Sequence, residues 1–111
     1  MSHPRDLTPT SAAPLFSALG DRTRLELLLD LCNGQPRSIS ELTQGTGLSR
    51  QGISKHLDVL KEARLVTSER IGRESKYTVR LDTLSDAKRY LDRASQQWDE
   101  SIERLRRLVE D

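Results

Sequence analysis

The stretch SISELTQGTGLSRQGISKHLDVLKEARLV, Ser38 to Val66, constrains the fold most, because it holds two helix starts in close succession. Ser38-Ile39-Ser40-Glu41 fits the S-x-x-E capping box, in which hydroxyl and carboxylate each satisfy a backbone amide left over at a helix start, and Leu42 opens a short buried side. Gly45-Thr46-Gly47 stops that helix at once. Ser49 caps the next, where Ile53, Leu57 and Leu60 follow at i, i+4 and i+7 and Val59 and Ala63 widen the stripe. Two helices joined by a tight Gly-containing turn make a helix-turn-helix. The second carries Arg50, Gln51, Ser54 and Lys55 on its polar side, a set that a helix merely filling a core does not need.

The flanks complete a mostly α chain with one hairpin. Residues 1–12, with Pro4, Pro9, Thr10 and Ser11 and little hydrophobicity, are expected to be a flexible tail, leaving 13–111 as a single domain. Pro14 suits the first turn of a short helix carrying Leu15, Phe16 and Leu19, ended by Gly20. Asp21 caps a second helix, with Leu25, Leu28, Leu29 and Cys32 at i, i+3, i+4 and i+7. Beyond the helix-turn-helix, Leu65 to Ile71 and Ser75 to Leu81 alternate as strands around Gly72-Arg73-Glu74. Residues 82–109 return to helix, with Leu84, Ala87, Leu91, Ala94, Trp98, Ile102, Leu105 and Val109 at steps of three and four, a coiled-coil-like seam.

Charge is informative only when it is localised. Residues 1–48 hold four Lys/Arg against five Asp/Glu, and residues 81–111 six against eight, whereas Ser49 to Arg80 holds eight against four. The excess of +4 therefore sits on the second helix of the pair and on the hairpin, and it points to a polyanionic partner. Packed through its apolar side, that helix presents Arg50, Gln51, Ser54 and Lys55 as a recognition helix presents side chains to base edges. Arg pairs bidentately with guanine and Gln with adenine, while Ser49 and the helix amides can hold a phosphate and His56 can bond a phosphate or a carbonyl. Arg70, Arg73 and Lys76 of the hairpin are long cations that can reach backbone phosphates beside it.

From LFSALGDRTRLELLLDL through LSRQGISKHLDVLKEARLV to RIGRESKYTV, the chain resembles the ArsR-type winged helix-turn-helix transcriptional regulators. The resemblance implies a homodimeric repressor of a double-stranded, palindromic DNA operator. Its first and last helices would form the interface, through Leu15, Phe16, Leu19, Leu84, Leu91, Trp98, Ile102, Leu105 and Val109. The ending WDESIERLRRLVE resembles a branch with no assigned metal effector.

No metal site or cofactor is expected. The Cys-x-Cys of metal-sensing relatives aligns here with Ser38 and Ser40, the last helix has no His, and Cys32, His3 and His56 sit on different elements. Cys32 is expected to be a small buried hydrophobe. No Ser-His-Asp order or Gly-rich phosphate loop supports an enzyme. One Cys, no apolar run long enough to span a bilayer and no apolar leader predict a cytoplasmic protein that does not enter membranes. Two other functions are open to such a chain: a winged-helix protein-interaction module, which would dispense with the cations retained here, and a thiol-responsive regulator using Cys32. Neither the operator nor any small-molecule effector is specified by these residues.

Overall fold

The computed structural model describes residues 6–44 and 46–110. Helix α1 is Pro9–Leu19, α2 Arg22–Leu31, α3 Ile39–Thr43, α4 Arg50–Glu62 and α5 Leu81–Glu110; the strands are β1 Arg37–Ser38, β2 Val66–Ile71 and β3 Glu74–Val79. The antiparallel sheet runs β1-β3-β2, with Val66 opposite Val79 and Ile71 opposite Glu74. This is a winged helix-turn-helix: α3 and α4 form the motif and the β2–β3 hairpin is the wing.

The chain begins its first helix earlier than expected. Thr8 and Ser11 form a reciprocal capping box, Pro9 takes the first turn, and Ala12 is buried. Leu7 packs on the core and Asp6 pairs with Arg89 and Arg93 of α5, so residues 6–12 are not a flexible tail; His3, Pro4 and Gly45 lie outside the described residues. Pro14 consequently stands inside α1, where its missing N–H leaves the carbonyl four residues back without its usual helical donor.

The core gathers Leu27, Leu28 and Leu31 of α2, Leu42 of α3, Ile53, Leu57 and Leu60 of α4, Leu65, Val66 and Tyr77, closed by Leu15 and Ala87. The face of α2 that faces this cluster is rotated from the expected one: Leu25 and Leu29 are exposed, and Cys32 is the exposed C-cap residue. In a segment as leucine-dense as LELLLDL more than one helical stripe can be drawn, and packing against α4 and β3 selects among them. Val59 is likewise partly exposed, and Leu81, expected to end the second strand, instead starts α5 in solvent.

Helix α4 ends in a Schellman motif. Leu65 N–H donates to the Leu60 carbonyl at 2.9 Å and Arg64 N–H to the Lys61 carbonyl at 3.0 Å, which puts Arg64 at φ 61°. That closure turns the chain directly into β2. At the other end of β2, Gly72 adopts φ 66° in the two-residue loop Gly72-Arg73, a conformation glycine takes without strain.

Helix α5 has 30 residues, ~45 Å at 1.5 Å per residue. Among the described residues, the contacts of α5 with the rest of the chain come from its N-terminal half, out to about Arg93, which accounts for a radius of gyration of 17.9 Å where ~13 Å is usual for this length.

Candidate nucleic-acid interface

Helix α4 is placed by its buried side. Because Ile53, Leu57 and Leu60 point inward, Gln51 and Lys55 occupy the middle of the solvent face, with Ser54 half-buried beside them. The Ser49 hydroxyl accepts from Gly52 N–H at 3.0 Å, so its oxygen serves as the cap. Arg50 turns toward α3, its guanidinium donating to the Ser40 hydroxyl at 2.8 Å, and Lys61 on the same flank reaches Ser68 of β2.

The expected DNA set is therefore not uniform. Lys55, Arg70 and Arg73 are exposed and make no ion pair among the described residues, whereas Lys76 lies 3.6 Å from the Glu41 carboxylate. His56 faces the opposite flank of α4: its Nδ1 stands 3.4 Å from Arg24 and 4.0 Å from Asp21, joining α4 to the start of α2. Ser40, Glu41, Asp21 and Arg24 position these groups, and sequence spacing alone does not single them out for this role because their partners lie on other elements.

Electrostatics at the helix starts follows from capping. The Arg24 N–H, aided by the Arg24 and His56 charges, holds Asp21 below the ordinary carboxylate range against a smaller opposing effect of burial. The Ser38 N–H does the same for Glu41, assisted by Lys76. Burial pushes the Tyr77 phenol up, with Asp58 adding to the effect.

The expected interface residues divide into two groups. Leu15 is 5% exposed and belongs to the chain's own core, so it has little area to offer a partner; Phe16, Leu19 and Leu84 are half-buried against that core. Phe16 meets Tyr90 with ring centroids 5.8 Å apart. Along α5, by contrast, Leu91, Trp98, Ile102, Leu105 and Val109 are exposed, and Leu108 joins them. A three-residue step from Leu105 marks Leu108 as part of the same stripe.

Among the described residues no group of three or more His, Cys, Asp or Glu is placed to hold a metal ion, and no helix is long and apolar enough to cross a membrane.

Known proteins share this arrangement. A family described as a helix-turn-helix domain matches residues 19–69. The transcriptional repressor SdpR of Bacillus subtilis is 30% identical over 66% of this chain and 80% of its own length. An ArsR-like transcriptional regulator from Rhodococcus sp. RHA1 superposes with a TM-score of 0.76 at 34% identity, covering 89% of this chain and 92% of that one. Mb0332 of Mycobacterium bovis, described as a homodimeric winged helix-turn-helix DNA-binding domain and a possible ArsR-family transcriptional regulator, gives 0.62 at 26% identity, over 86% and 84%. The matched stretch spans from 53% to 80% of the curated relatives' own length. With its α3–α4 motif, its wing and these relatives, the chain belongs to the ArsR-type winged helix-turn-helix transcriptional regulators.

Proposed function

We propose that the protein acts in the cytoplasm as a homodimeric repressor that grips a palindromic operator, with Gln51, Ser54 and Lys55 entering the major groove and Arg70 and Arg73 of the wing on flanking phosphates. The observation that carries this reading is that exposed cations on α4 and the wing, Lys55, Arg70 and Arg73, which make no ion pair among the described residues, occur together with an uncovered apolar stripe on α5. The first suits DNA; the second suits a second copy of the same helix. An isologous pairing of α5 buries Leu91, Trp98, Ile102, Leu105 and Leu108 and brings two α4 helices to half-sites about one DNA turn, ~34 Å, apart. Likeness to SdpR supports repression, and likeness to Mb0332 supports the dimer.

Leu105→Asp tests the arrangement. Leu105 is 61% exposed in the single chain, so a charge there costs a monomer little, within ~0.5 kcal/mol. Sedimentation should show the variant as a monomer, and selection from random duplexes should recover palindromes with the unmodified protein only. A monomeric unmodified protein that still selects full palindromes would sink the proposal.

A further inference from the structure

Between the start of α3, the start of α4 and the wing turn lies a cleft of about 220 Å³ whose lining includes Ser40, Arg50, Arg73, Glu74 and Ser75. Two guanidiniums from distant parts of the sequence thus open onto one concavity together with three serines, Ser38, Ser40 and Ser75. Arg50 is held there, since its bond to Ser40 at 2.8 Å draws it off the exposed face of α4 on which Gln51 and Lys55 stand. Glu74 is the one carboxylate on the lining, which leaves the cleft a net charge of +1.

We propose that this cleft is a phosphate site, in which Arg50 and Arg73 grip one DNA backbone phosphate with Ser40 orienting Arg50, so that Arg50 contributes affinity and base discrimination falls to Gln51, Ser54 and Lys55. The inference rests on the DNA-binding reading above and refines it. Guanidinium bonds doubly to tetrahedral oxyanions, and a hydroxyl that fixes the fork in advance reduces the ordering cost of binding. The location has a consequence for the wing. A phosphate held from both sides fastens the hairpin to the helix-turn-helix, so the two elements follow the backbone as one body rather than as separate contacts.

The test compares unmodified protein with Arg50→Ala, Ser40→Ala and Gln51→Ala on two duplexes: the best one selected from random sequences by the unmodified protein, and a scrambled version of it. Arg50→Ala should weaken both by a common factor, on the order of tenfold. It should also flatten the plot of log K against log salt, by less than the ~0.9 of one whole phosphate, because Arg73 stays on that phosphate. Ser40→Ala, which keeps the cation but frees it, should weaken both duplexes less while leaving the slope intact. Gln51→Ala should narrow the gap between the duplexes without altering the slope. Arg50→Ala narrowing that gap at an unchanged slope would put Arg50 on a base edge and overturn the phosphate assignment alone. Failure of the unmodified protein to bind any duplex would instead overturn the DNA-binding reading and this inference with it.

Discussion

The Lys76 ammonium, on the central strand of the sheet, lies 3.6 Å from the Glu41 carboxylate in the first turn of α3, the same carboxylate that accepts the Ser38 N–H at 3.0 Å. The strand carrying the wing is thus joined to the helix-turn-helix by an ion pair centred on a cap. Lys76→Ala should cost at most ~1 kcal/mol of stability, as for partly exposed pairs, and should change the salt dependence of DNA binding less than Arg73→Ala does. Urea unfolding and salt titration of the two variants give the comparison. Equal flattening by both would return Lys76 to the phosphate contacts.

Acid should weaken the starts of α2 and α3. Asp21 and Glu41 are held below the ordinary carboxylate range chiefly by the N–H groups of Arg24 and Ser38, so the folded state favours their charged forms. The sign follows: their contribution is complete above the unfolded carboxylate range, ~4, and is lost as pH falls through the lower folded values. Denaturant midpoints measured from neutral pH to ~pH 3 should fall more steeply for the unmodified protein than for Asp21→Asn/Glu41→Gln. Parallel curves would show that the caps do not respond to acid.

Arg64 occupies a left-handed position, φ 61°, that closes the Schellman motif of α4. A side chain there carries a steric cost of roughly 1–2 kcal/mol, while a glycine adds about 0.5–1 kcal/mol of unfolded-chain entropy. Arg64→Gly should therefore raise stability by up to ~1 kcal/mol, read as a higher urea midpoint at fixed protein concentration. A lower midpoint would mean that the arginine side chain makes contacts worth more than the strain.

Trp98 is the chain's single tryptophan and is 59% exposed in one chain. Burial between paired α5 helices should move its emission to shorter wavelength in the unmodified protein, while Leu105→Asp should keep the emission of a wetted indole. A wetted indole in the unmodified protein at the highest usable concentration would exclude Trp98 from the pairing surface.

Local chemistry made the helix-turn-helix legible. Ser38, Glu41 and Ser49 form the expected caps, and Ile53, Leu57 and Leu60 are fully buried as their spacing requires, because these signals operate within a few residues of themselves. What escaped depends on choices made across elements. Strand β1 is two residues long and exists only because β3 pairs with it; the leucine spacing of α2 puts Cys32 inside, whereas it caps the helix in solvent. The polar stretch at Thr8-Pro9-Thr10-Ser11 reads as a tail by composition, yet it contains a capping box, and a reciprocal Thr–Ser pair is a weaker signature than Ser–Glu. In the candidate site, exposure of Gln51 and Lys55 was readable from the helical period alone. The diversion of Arg50 to Ser40 and of Lys76 to Glu41 was not, since each needs the relative placement of α3, α4 and the wing.

Arg24 ties α1, α2 and α4 together. Its guanidinium donates to the Ala18 and Ser17 carbonyls near the end of α1 and stands beside His56 of α4, so one side chain spans three helices. Because α1 also meets the base of α5, where Phe16 packs on Tyr90, Arg24 and α1 link the proposed pairing stripe to the proposed reading helix. In the proposed dimer this linkage is the joint of a caliper, and a stiff joint predicts weaker binding to an operator with one base pair added or removed at its centre.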